Sequence, residues 1–358
     1  MEISNEPNNP SSAPSIEFPP PQIRDLDKKS AGNYLSLLRR LVSRPISLIL
    51  GSGTSATVGI PIWKKLLTQI CASFFCHWEF GIQRHSQSLE LPPHQLSIVF
   101  TEDFFWSNEV KDVAEYFSNS DPLLVAQQIK NCIRPIDWRY LLQKVLYPEA
   151  NGNPQWIKNS DLLTNLALLS KDSSSLISVI NYNYDNSFQI HLQRLGIPCC
   201  VLWEGKNVDY KGRLPIFHPH GYLPLGGGPL TKIVLAESDY HHEAANPYSW
   251  ANIIQTRAFS GSTCIFFGTS MIDPNLRRLL RISKVCSSER HYAFLPRDPI
   301  RDQKQVMSQA LFDYDLSQLG VRVIRFPRSQ GSQNPYSRLG KLVEFMVAYA
   351  QGKRTIWS

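Results

Sequence analysis

Hydrophobic positions along the chain follow two alternating periods. From Tyr34 they recur at helical spacing as Leu35, Leu38, Leu41 and Val42, with Arg39 and Arg40 facing elsewhere, which predicts an amphipathic helix. Ile46-Ser47-Leu48-Ile49-Leu50 is then a short apolar run stopped by Gly51, the pattern of a buried parallel strand entering a glycine turn. After the turn Gly51-Ser52-Gly53-Thr54-Ser55, Pro61 can open a helix with Trp63, Leu66, Leu67, Ile70 and Phe74 as its stripe and Lys64 and Lys65 outside. Strand, phosphate-sized loop and helix follow one another.

Strand-type runs vanish between about Cys76 and Ser160, where helical patterns dominate and Asp121-Pro122 caps a helix through Ile133. This predicts a helical insertion over residues 76–160. Strand-like runs return at Leu176–Ile180, Lys232–Leu235, Thr263–Phe267, His291–Leu295 and Val321–Ile324, separated by polar loops and helical stretches. Such alternation predicts an α/β fold, a Rossmann-like open parallel sheet with helices on both faces, formed by residues 26–75 and 161–358. Residues 1–25, rich in Pro, Ser and Asn, hold too little apolar surface to offset ordering entropy and are expected to form a flexible leader.

Composition narrows the picture modestly. Hydrophobic residues make up 42% and charged residues 19%, as in a globular protein. The net charge of +7 is not gathered into a basic arm, so direct nucleic-acid binding is not expected, while an anionic dinucleotide suits the modest excess. Seven scattered cysteines and no charged-then-apolar start point to a reduced, cytoplasmic protein, and no apolar run approaches the ~20 residues that cross a bilayer.

Four segments at expected strand ends carry candidate chemistry. In Gly51–Ser55 the missing Cβ atoms would let backbone N–H groups approach a pyrophosphate at the start of a helix, although many αβ turns use glycine simply to turn. Asn181-Tyr182-Asn183-Tyr184-Asp185 would project polar side chains into the crevice beyond its strand, or Asp185 would merely cap the helix Ser187–Leu195. His218-Pro219-His220-Gly221 offers an imidazole with room beside it for proton transfer. In Gly268-Thr269-Ser270 small hydroxyl residues could bond a ribose or phosphate, whereas the following Asp273-Pro274 has a sufficient explanation as a helix start.

Taken in order, Gly-Ser-Gly-Thr-Ser…Gly-Ile-Pro, Asn-Tyr-Asp, His-Gly and Gly-Thr-Ser…Asp-Pro-Asn resemble the SIR2 superfamily, which includes sirtuins and the SIR2-like NAD⁺ hydrolases of bacterial antiphage systems. The resemblance implies NAD⁺ as substrate, with Gly51, Gly53, Thr54 and Ser55 at the phosphates, Asp185 bracing the asparagine loop, and Gly268, Thr269 and Ser270 facing the adenosine half. It assigns Asn183 to orient the ribose or water and His220 to act as general base. Sirtuins usually have Asp-Phe-Arg where this chain has Ile62-Trp63-Lys64, a glutamine where it has Tyr182, and paired zinc cysteines that it lacks. These departures favour NAD⁺ hydrolysis over a deacylase or ADP-ribosyltransferase, and Asn183, Asp185 and His220 argue against a non-catalytic NAD or ADP-ribose sensor. No metal is expected, and the helical insertion stands in place of the zinc lobe. The resemblance further implies a homo-oligomer or a separately encoded partner that gates the activity.

Overall fold

The computed structural model describes residues 21–84, 121–133, 135–148, 153–172, 175–205, 209–228, 231–287, 290–297, 302–328 and 336–352. A short turn α1 (Pro21–Arg24) leads into α2 (Lys28–Leu41), capped by Asp27, whose side chain accepts from the Ser30 N–H. Tyr34, Leu37, Leu38 and Leu41 are buried, while Val42, read as part of the stripe, is exposed just beyond the helix. Of the leader expected over residues 1–25, the described residues 21–25 are packed: Ile23 is 3% exposed and Asp25 pairs with Arg338, because the turn finds apolar cover against the C-terminal helix.

Strand β1 (Ile46–Leu50) is buried throughout. It is followed by α3 (Ser52–Ser55) and α4 (Trp63–Arg84). Helices α5 (Pro122–Cys132), begun by the Asp121 cap and Pro122, α6 (Pro135–Leu146) and α7 (Asp161–Asp172) come next. The part of the expected helical insertion over 85–120 lies outside the described residues. The chain then runs through β2 (Leu176–Asn181), α8 (Ser187–Arg194), β3 (Cys199–Leu202), β4 (Leu214–Phe217), α9 (Glu237–Ala245), α10 (Trp250–Gly261) and β5 (Thr263–Phe267). It closes with α11 (Pro274–Cys286), β6 (His291–Arg297), α12 (Gln303–Gln318), β7 (Val321–Pro327) and α13 (Ser337–Ala350).

The sheet is parallel in the order β3-β4-β2-β1-β5-β6-β7. Alternate side chains enter two cores, as the period of two in a strand requires. Leu48, Val179, Ile265 and Phe294 face α2, α4, α8 and α13 on one side. Ile49, Ile180, Phe266 and Leu295 face α10, α11 and α12 on the other. The architecture is the expected Rossmann-like α/β sheet with helices on both faces.

Two strand assignments differ from the sequence pattern. Lys232–Leu235 is not a strand; it is an extended strap whose apolar side chains are buried, and Val234 donates its N–H to the His220 carbonyl. Its hydrophobicity reflects burial beneath the loops and not a place in the ladder. Conversely β3 and β4 escape the pattern, since four residues are too few to show a period and Pro215 inside β4 reads as a breaker.

Candidate active site

From β1 the chain builds β2, β4 and β3 on one side of the sheet and then crosses to β5 on the other, which opens a crevice beyond the carboxyl ends of the central strands. All four candidate segments lie there.

Two of them interlock. Gly51 donates its N–H to Phe267 O and Gly53 donates to Gly268 O, each at 2.9 Å, while Thr54 N–H turns back to Gly51 O. A Cβ on Gly51 would stand 2.7 Å from Gly268 O, and one on Gly268, whose φ is 67°, would stand 2.4 Å from Thr54 N. The N–H groups of Gly51 and Gly53 therefore face protein carbonyls, not a pyrophosphate, and these glycines are needed because two backbones meet without room for a side chain. Gly51, Ser55, Gly268, Thr269 and Ser270 still line a cavity of about 300 Å³, and Gly53 lines a neighbouring one of about 400 Å³. Thr54 lies beneath them, 1% exposed.

Asn183 also lines the cavity of about 300 Å³, and it fixes the loop after β2 to the loop after β1. Its Nδ2 donates to Gly51 O at 3.0 Å, Thr54 Oγ1 at 3.1 Å and Ser55 Oγ at 2.8 Å. Among the described residues nothing donates to its Oδ1. Its carbonyl accepts from His218 Nδ1 at 2.8 Å, and His218 Nε2 in turn accepts from Gln189 Nε2 at 2.6 Å. His218 is wholly buried, and burial drives its pKa down to about 4, keeping it neutral. Asp185 accepts from the Ser187 N–H at 2.9 Å and from the Ser187 hydroxyl, one residue ahead of Asn186, which holds the N-cap position of α8, and burial raises its carboxyl above the usual range.

His220 is 8% exposed and lines the cavity. Its ring meets Tyr182 edge-on with centroids 4.8 Å apart and Tyr240 at 5.8 Å, and neither ring nitrogen bonds a protein group among the described residues. Burial lowers its pKa, with the charges of Asp273 and Glu243 pulling the other way. Trp63, read as part of the α4 stripe, packs against the core and also lines the cavity.

Residues 177–322 match the family model for the SIR2-like domain. Over these residues the chain is SIR2-like. The matched stretch of this SIR2-like protein holds Asn183, Asp185, His220 and Gly268–Ser270; the loop Gly51–Ser55 precedes it and joins the same crevice only through the fold. SIR2-like proteins are NAD-utilising enzymes. No curated protein matches the chain significantly.

Three further residues line the cavity. Tyr240 sits on α9, and Asp273 was given only its capping role, which it does fill by accepting from Leu276 N–H at 2.7 Å. Met271, 1% exposed, has φ 61°, the one positive φ outside glycine among the described residues. Held strain of this kind gathers at functional sites, and no local pattern signals it. His241 and His242 are exposed on α9, and among the described residues no three potential metal ligands cluster. No described helix is long and apolar enough to cross a membrane.

Proposed function

We propose that this SIR2-like protein hydrolyses NAD⁺ to nicotinamide and ADP-ribose. The observation that carries the reading is the pairing, over one apolar cavity, of an asparagine whose amide nitrogen is fully held and whose Oδ1 is open with a histidine whose ring nitrogens are open. Asn183 Oδ1 would accept a hydrogen bond from the attacking water or a ribose hydroxyl. His220, neutral at pH 7, would take the proton, a contribution of ~10²–10⁴ in rate. The glycosidic electron pair goes to the pyridinium ring, so nicotinamide leaves neutral without an acid, and water supplies the hydroxyl on the ribose.

The neighbouring cavity shares Ser52, Gly268, Thr269 and Ser270 with the first and is lined by Arg328 and by Arg325, the latter paired with Asp313, a polar setting for the diphosphate and adenosine half. Tyr182 weighs against a deacylase: its hydroxyl bonds Gln255 and its ring packs on His220 where sirtuins resemble one another in a glutamine. The resemblance to antiphage NAD⁺ hydrolases supports a defence role for the protein, with activity gated by self-assembly or a separately encoded partner.

The test is nicotinamide release from NAD⁺ without an acyl acceptor, by the chain alone and with the products of neighbouring genes. Asn183→Ala and His220→Ala should each lower the rate about 10²–10⁴-fold. Release that required an acyl-lysine, or that survived both substitutions, would overturn the proposal.

A further inference from the structure

The chain carries 37 basic against 30 acidic residues, yet among the described residues no lysine or arginine lines the cavity that holds Asn183 and His220. What lines it instead suits a cation. Trp63, Tyr182, Tyr184 and Tyr240 supply aromatic surface, whose faces attract positive charge. Asp185 and Asp273 supply carboxyl groups, and they are not equivalent. Asp185 is 1% exposed and turned to Ser187. Asp273 is half-buried at the wall, and its Oδ1 caps α11 through Leu276. Its field reaches His220 and the Tyr182 and Tyr184 rings. A cap needs only a side-chain oxygen, which asparagine supplies equally well. The negative charge is thus surplus to the helix, and it faces a cavity with no basic side chain to neutralise it.

We propose that Asp273 is the specificity residue of this cavity, selecting a cationic heterocycle, the oxidised nicotinamide ring, over its neutral reduced form. The assignment rests on reading the crevice as an NAD⁺ site. Oxidised and reduced dinucleotides share every group except the charge and planarity of this ring, so a carboxylate beside it discriminates where shape cannot. A partly screened charge pair accounts for about a tenfold preference or more.

The experiment is calorimetric titration of the full chain with carbocyclic NAD⁺, which keeps the pyridinium and resists cleavage, with NADH and with ADP-ribose, for wild type and Asp273→Asn. Wild type should bind the cationic analogue at least about tenfold more tightly than NADH. Asp273→Asn should bring that ratio close to one while leaving ADP-ribose affinity and the unfolding temperature unchanged, since the cap is kept. A wild-type ratio near one, or a ratio that survives the substitution, overturns the inference while nicotinamide release still supports the hydrolase. Equal loss of all three ligands in Asp273→Asn overturns it too, by showing a structural role. If no dinucleotide binds wild type, the hydrolase reading falls with it.

Discussion

At the scale of single residues, the glycines show how a motif can be read correctly for place and incompletely for reason. Gly51, Gly53 and Gly268 stand where a nucleotide loop is expected, yet their first duty is to let the β1 and β5 loops touch. Gly268→Ala therefore combines a left-handed backbone with a Cβ 2.4 Å from Thr54 N, and neither contact atom is a flexible side-chain end. It should lower the unfolding free energy by about 2–4 kcal/mol, measured by urea denaturation. An unchanged midpoint would mean that the two loops separate easily. Asn183 was singled out in sequence through the resemblance, but its three donor contacts come from a loop 128 or more positions away, which no local pattern encodes.

At the scale of elements, the strap Lys232–Leu235 holds the site from below. Tyr184 donates its hydroxyl to Val234 O at 2.7 Å, and Val234 donates its N–H to His220 O at 2.9 Å, so the loops after β2 and β4 are tied through one buried segment. Tyr184→Phe keeps the ring and strands the Val234 carbonyl. The expected cost is about 1–3 kcal/mol in unfolding free energy. Activity should fall as well, because His220 loses part of its support; nicotinamide release at wild-type rate, with stability reduced, would show that the strap serves the fold alone. The elements with a clear period, β1, α2 and α4, were legible because their buried faces repeat. The strap misled because burial outside the sheet ladder gives the same apolar run as a strand.

At the scale of the whole molecule, burial of the two histidines writes a pH dependence. His218 packs among Gln189, the Asn183 carbonyl and Tyr222, and its folded pKa of about 4 lies below its ordinary value of 6.5. The unfolded chain then binds more protons between these values, so stability is complete above pH 6.5 and falls as pH drops toward 4, by about 3 kcal/mol from this group. Urea midpoints across that range should show the slope, and His218→Asn should flatten it. A base that must be neutral shifts activity likewise: the acid limb of kcat/KM should lie below pH 6.5, because burial of His220 outweighs the pull of Asp273 and Glu243. A limb above 6.5 would mean that those carboxylates dominate.

The sequence by itself determined the fold class, the central strand, the helix starts at Asp121-Pro122 and Asp273-Pro274, and the four segments at strand ends, because burial period, caps and glycine turns are local and leave local signs. Tertiary structure alone decided which groups within those segments remain open. Hydrogen bonds from distant loops closed the N–H groups of Gly51 and Gly53 and the amide nitrogen of Asn183, while leaving Asn183 Oδ1 and the His220 ring open. The same packing turned Asp273 from a helix cap into part of a cavity wall, since a cavity belongs to no single segment of chain.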